Sequence, residues 1–232
     1  MDRDATSGFR AAIVARARLL DDLVAEAAGR GVAQYVILGA GLDTFAQRRP
    51  EIASRMQVFE VDRQGPQSWK RRRLVDLGFD IPRSLHFVPV DFEGTTSWFD
   101  ELAAAGFERS VPAIVSSTGV AMYLTKEATM TTLALLGELA PGSTLAMTFL
   151  LPTDLLDEAD RQVLEATKRA ARQSGTPFVS LYAPDDMINM ARQAGFAVAR
   201  HVSGSELAER YFAGRSDGLR PISGEDFLIA TT

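Results

Sequence analysis

A chain of 232 residues, 46% hydrophobic and 24% charged, has the make-up of a soluble protein with a continuous core, sized for one large domain. Its formal charge of −5 gives no general positive field for a polyanion, which argues against a nucleic-acid partner. Cysteine is absent and His86 and His201 are the only imidazoles, which excludes disulfides, thiolate nucleophiles and a histidine-rich metal site.

Asp2, Arg3 and Asp4 precede an amphipathic stretch without the apolar centre of a signal peptide. No apolar run reaches bilayer length, so a cytoplasmic protein with no membrane partner is expected. Residues 9 to 28 space Ile13, Leu19, Leu20, Leu23 and Val24 along one helical face, closed by Gly29 and Gly31. The run Tyr35 to Leu38 predicts a first strand, ended by Gly39, Ala40 and Gly41 and followed by a helix through the forties.

Further strand-like runs lie at 56–61, 85–90, 111–117, 143–150, 196–203 and 226–230. Helix-like stretches at 66–77, 97–105, 125–139, 157–173 and 185–194 separate most of them. The basic run Lys70 to Arg73 falls in the first of these and reads as a solvated helix face. The alternation predicts an α/β fold: a doubly wound, Rossmann-like, mostly parallel seven-stranded sheet with an antiparallel pair at one edge. A single domain over 1–232 is expected, with the polar stretch after Pro152 as a substrate-side insertion.

Ligands of such sheets bind beyond the carboxyl ends of the strands, where strand order reverses. Gly39 and Gly41 allow a sharp turn and close approach of a ligand, although strand-to-helix turns use glycine for geometry alone as well. Asp62 ends the run MQVFEVD, 21 residues after Gly41, a spacing at which an acidic side chain accepts from ribose hydroxyls. Asp91 and Phe92 follow the third strand and suit the amine and face of an adenine. Capping of the helix that begins near Thr96 is the other use for Asp91.

Thr44 stands where a dinucleotide site carries its third glycine. S-adenosylmethionine, whose far end is a zwitterionic methionine, needs no seat for a pyrophosphate. Arg16 or Arg18 could pair with its carboxylate.

The blocks ARARLLDD, YVILGAGLDT, FEVDRQ, VPVDF, GVAMYLT, LAPGS, QAGF and ERYFAGRSDGL run through the chain in that order. Together they resemble the leucine carboxyl methyltransferase family of class I methyltransferases, including its bacterial members linked to polyketide O-methylation. The resemblance implies S-adenosylmethionine as cofactor, with Arg16 at its carboxylate, Gly39 and Gly41 beside the methionine, Asp62 on the ribose, and Asp91 with Phe92 at the adenine. It implies Tyr123 near the transferred methyl. Thr118 takes the cofactor position at which the family usually carries glutamate. Phe45 and Gln47 stand where bacterial relatives usually have arginine and an aromatic, and the helical segment before ARARLLDD is shortened, which implies either a shortened form of the chain or a more open cavity.

Methyl transfer from a sulfonium is an in-line displacement that asks the protein for alignment more than for a catalytic triad. A carboxylate acceptor is already ionised; a phenol or alcohol needs a base. His201 lies in an apolar run and reads as structural. Arg210, Tyr211 and Arg215 form the polar cluster that could orient a small acidic acceptor. The expectation is an O-methyltransferase acting on a carboxylate or hydroxyl of a small molecule. The alternative is a degenerate relative serving as a non-catalytic nucleoside-binding or assembly module; an incomplete glycine pattern disfavours a nicotinamide-dependent oxidoreductase.

Overall fold

The amphipathic N-terminal stretch forms α1 (Asp4–Gly29), which lays Ala15, Leu19, Leu20, Val24 and Ala27 against the sheet. Residues 4–92, 97–156 and 158–232 are described by this computed structural model. The first strand, β1 (Gln34–Leu38), is buried along its whole length. After it come α2 (Phe45–Arg48) and α3 (Pro50–Ala53). They are two short helices in place of the one expected, because Pro50 favours a new helix start and disfavours helical backbone at Arg49.

Next in the chain are β2 (Gln57–Asp62), α4 (Gln64–Asp76), β3 (Leu85–Pro89), α5 (Trp98–Ala104) and β4 (Ala113–Ser117). A 3-10 turn at Ala121–Tyr123 leads to α6 (Lys126–Gly137) and β5 (Thr144–Leu150). The remainder is α7 (Glu158–Gln173), α8 (Pro184–Gln193), β6 (Val198–Val202), α9 (Gly204–Phe212) and β7 (Glu225–Thr231). Among the described residues no helix is long and apolar enough to cross a membrane.

The seven strands lie in the order β3-β2-β1-β4-β5-β7-β6. β1 pairs in parallel with both β2 and β4, whereas β7 is antiparallel to β5 and to β6. The expected antiparallel edge pair is therefore present, although the two strands are joined through α9 and the later one lies inside the earlier one. From β1 the chain winds one way to β2 and β3, then returns to place β4 and β5 on the other side. Strand order thus reverses between β1 and β4, where Leu38 registers with Ser117 and the two C-terminal ends open side by side.

One sheet face packs against α5, α6 and α8 through Phe59, Val61, Phe99, Leu133, Leu136 and Met187. The other packs against α1, α2 and α3 through Val24, Tyr35, Phe45, Ile52 and Val58. Burying each such large apolar side chain contributes about 1.5–3 kcal/mol. The buried polar groups of β1 are paired: the Tyr35 hydroxyl meets Ser116 Oγ at 2.9 Å, and the Gln34 amide donates to the Glu108 carbonyl at 2.9 Å while accepting from its N–H at 2.8 Å.

The solvated reading of the basic run fails at Lys70, which is only 4% exposed. Gln67, Lys70 and Leu74 are spaced three and four apart on α4 and share its sheet-facing side. Lys70 Nζ reaches the buried Glu60 carboxylate of β2 at 2.5 Å, and Gln67 donates to the carbonyls of Glu60 and Val88 at 2.7 and 3.0 Å. His201 is structural, as expected: its Nε2 lies 2.7 Å from Asp226, whose other oxygen accepts from Gly204 N at 2.9 Å.

Candidate functional site

The loop after β1 is drawn onto β2 by two backbone bonds, in which Gly39 N and Ala40 N donate to the Val61 carbonyl at 2.8 and 3.2 Å. Gly39 and Gly41 have φ of +67° and +50°, left-handed conformations that other residues adopt only at a cost. A Cβ at Gly39 would also collide with Val120 Cγ2, from the loop after β4. At Gly41 an added Cβ would meet only the Gly39 carbonyl oxygen, at 4.0 Å. The two glycines do different things: the first lets the β1 and β4 loops touch, and the second leaves room beside the cleft.

Gly41 N donates to Asp62 Oδ2 at 2.5 Å, and Asp62 Oδ1 accepts from Arg63 N at 2.6 Å. The carboxylate at the end of β2 is therefore held by the glycine loop itself. Each oxygen keeps a second lone pair for an outside donor such as a ribose hydroxyl.

A cleft of about 390 Å³ opens at this point, within the size range of small-molecule sites. Arg16 and Ile13 of α1 line one side, Gly39 to Thr44 the floor, and Thr118, just past β4, the other side. The structure thus brings Arg16, Gly39, Gly41 and Thr118 together, with Asp62 fixed at the margin through Gly41. Arg16 Nη1 donates to both carboxylate oxygens of Glu225, the first residue of β7, at 2.9 and 3.2 Å. Gly119 N donates to Thr148 Oγ1 at 2.8 Å, which ties the β4 loop to β5.

Asp91 and Phe92 lie beyond the end of β3. Asp91 is exposed with its carboxylate 3.5 Å from Arg63 Nε, and Phe92 is half-buried against the core beneath. The N-cap of α5 is Ser97, whose Oγ accepts from Asp100 N, so Asp91 does not cap that helix. Residue Thr96, near which that helix was expected to begin, lies outside the described residues.

Tyr123 closes the 3-10 turn after β4, half-exposed, with its ring edge-on to Phe178 at 5.5 Å. The segment after α7 docks there as well: Val179 N and Ser180 N donate to the Met122 carbonyl at 2.8 and 3.3 Å. The chain following Pro152, expected to be an insertion on the substrate side, thus contacts the turn after β4 through Phe178, Val179 and Ser180.

The polar cluster near the C-terminus splits in two. Arg210 and the Tyr211 hydroxyl both bind Asp22 of α1, at 2.8 and 2.7 Å, and the Arg18 guanidinium lies 4.8 Å from the centre of the Tyr211 ring. Burial and the Asp22 carboxylate push the Tyr211 hydroxyl well above the usual phenol range. Arg215 instead binds Asp217 in its own loop, at 2.9 and 2.5 Å, and holds that carboxyl down at about 2.

Of the two residues that depart from the bacterial pattern, Phe45 is buried edge-on against Tyr35, with ring centres 5.0 Å apart. Gln47 has both amide atoms buried without a hydrogen-bond partner among the described residues. The retained Arg48 binds Asp21 of α1 at 2.6 Å. Sequence reasoning did not find Glu225, Thr148 or the Glu60–Lys70 pair; each joins a strand to a helix or loop only through folding, with no local motif to mark it.

A parallel sheet reversing between β1 and β4, with an antiparallel β7 inserted next to β5, is the fold of class I methyltransferases. Of solved structures, a methyltransferase-like protein from Thermobifida fusca superimposes with a TM-score of 0.68 at 19% identity, over 97% of this chain and 83% of its own. Residues 2–137 match the leucine carboxyl methyltransferase family, and the chain belongs to it. YktD of Bacillus subtilis (strain 168), provisionally named an S-adenosyl-L-methionine-dependent methyltransferase, is 34% identical over 82% of this chain and 62% of its own length. A Mycolicibacterium vanbaalenii protein with the same provisional name is 38% identical over 95% of this chain and 71% of its own. The chain spans about six tenths of the length of several curated relatives that it matches.

Proposed function

We propose that this chain binds S-adenosylmethionine in the cleft between α1 and the ends of β1 and β4 and transfers its methyl group to an oxygen of a small molecule. The observation that carries the reading is the coupling of Gly41 to Asp62 at 2.5 Å at the margin of the cleft that Arg16 also lines. A ribose acceptor and a cation for the methionine carboxylate thus stand at one opening of suitable size. The fit extends to Gly39, where any side chain would close the approach of the two loops.

Bound there, the cofactor would supply a methyl group on a positively charged sulfur. The chain's own task is to align the acceptor and keep water away. Asp62 holds the ribose, Arg16 the carboxylate, and Asp91 with Phe92 the adenine; Thr118 gives an uncharged wall beside the methionine. Tyr123 and Phe178 border the acceptor.

His201 is committed to Asp226 on the β6–β7 pair and is not among the residues that line the cleft, so it does not serve as the base that a phenol or alcohol would need. That favours a carboxylate, already ionised at neutral pH, as the acceptor. Arg210 and Tyr211, tied to Asp22, hold α9 against α1, and neither they nor Arg215 are among the residues that line the cleft. The test is transfer of labelled methyl from S-adenosylmethionine to a panel of small carboxylic acids and phenols. Base-labile methyl esters are the expected product; cofactor binding without transfer to any acceptor would instead identify a non-catalytic nucleoside-binding module.

A further inference from the structure

The methionine end of the proposed cofactor carries two opposite charges, and the cleft answers only one of them from the residues already assigned. Arg16 meets the carboxylate, whereas Thr118 carries no charge to meet the ammonium. Besides Asp62, assigned to the ribose, Asp43 and Glu225 adjoin the cleft among the described residues. Asp43 turns one oxygen into its own loop, where Oδ1 accepts from Phe45 N at 2.6 Å. Glu225 directs both oxygens at the single nitrogen Arg16 Nη1. Arg16 lines the cofactor cleft and also the small crevice next to it, where Glu225 and Thr148 form the wall.

We propose that Glu225 is a cofactor-binding residue that takes the α-ammonium of the methionine moiety, with Arg16 and Glu225 opening to receive the zwitterion between them. This deepens the cofactor reading above and rests on it. The pair is only 24% and 23% exposed, so a lone charge left there would be costly. Insertion of a zwitterion avoids that cost, because the carboxylate replaces Glu225 on the guanidinium and the ammonium replaces Arg16 on Glu225. Arg16 uses Nη1 for Glu225, and its fork of further donors suits a carboxylate approaching from the cleft. Glu225 opens β7 opposite Leu150, the last residue of β5, so its side chain enters from the strand margin and not from the loops that carry the family's motifs.

The test compares three ligands by calorimetry on the wild-type chain and on Glu225→Gln: S-adenosylhomocysteine, its analogue lacking the α-amino group, and 5′-methylthioadenosine. The wild type should prefer S-adenosylhomocysteine over the des-amino analogue by about tenfold, the scale of one charge-assisted hydrogen bond. Glu225→Gln should lose that preference while binding 5′-methylthioadenosine, which lacks the amino-acid end, as the wild type does. Glu225→Asp, which keeps the charge, should retain part of the preference and serves as a second variant if Glu225→Gln does not fold. A Glu225→Gln protein that still distinguishes the two amino-acid ligands, or that weakens both alike, would overturn the assignment. Failure of the wild type to bind even 5′-methylthioadenosine would instead overturn the cofactor reading, and the assignment with it.

Discussion

Gly39 and Gly41 sit two residues apart, both with positive φ, yet the structure separates their costs. Gly41→Ala is expected to lose about 1–2 kcal/mol, the cost of holding an L-residue in a left-handed conformation. Gly39→Ala adds a collision with Val120 and should lose distinctly more, with urea unfolding of the two variants as the measurement. Equal losses would mean that the β1 and β4 loops are not in contact as described. These glycines and Asp62 were legible in the sequence because the turn, the next strand and the carboxylate at its end follow one another within a single βαβ unit. The Arg16–Glu225 pair was not, because 209 residues separate its partners and only the placement of β7 joins them.

Helix α9 shows how an element can be missed although its start signal is written in the chain. Ser203 Oγ accepts from Glu206 N at 3.2 Å while Ser203 N donates to the Glu206 carboxylate at 2.8 Å, a reciprocal cap readable as Ser-x-x-Glu. The nine-residue helix that follows is short, and its buried side rests on Gly204 and Leu207, too little apolar spacing to stand out. Ser203→Ala should lower stability by about 1 kcal/mol in urea unfolding, as loss of an N-cap does elsewhere. An unchanged midpoint would mean that α9 is held by Arg210 and Tyr211 on Asp22 and not by its cap. The split of the helix in the forties had an equally local cause in Pro50. Burial of Lys70 did not, since its position relative to Glu60 depends on how α4 docks on the sheet.

Across the whole molecule, the alternation of strands and helices gave the parallel sheet, because each βαβ step is a local event with one favoured hand. Insertion of β7 between β5 and β6 is not local, and it creates both the Arg16–Glu225 pair and the His201–Asp226 contact. The Glu60–Lys70 pair carries a consequence for the whole fold. Burial raises the Glu60 carboxyl to about 7 against the pull of Lys70. The folded chain thus keeps a proton that the unfolded chain releases near its ordinary value of 4.5. The resulting stabilisation is complete below that ordinary value and is lost as pH rises through about 7. Thermal unfolding from pH 5 to 8 should show this decline in the wild type and not in Glu60→Gln; parallel curves would place the titration elsewhere.

The central claim is that the glycine loop and Asp62 together form a nucleoside site for S-adenosylmethionine. Its most direct test is calorimetric titration of the wild type and of Asp62→Ala with S-adenosylhomocysteine, with NAD as the control. The account predicts clear binding by the wild type, silence with NAD, and a loss of about 1–3 kcal/mol in the variant, the cost of removing charged hydrogen bonds. Equal affinity in the two proteins would contradict it.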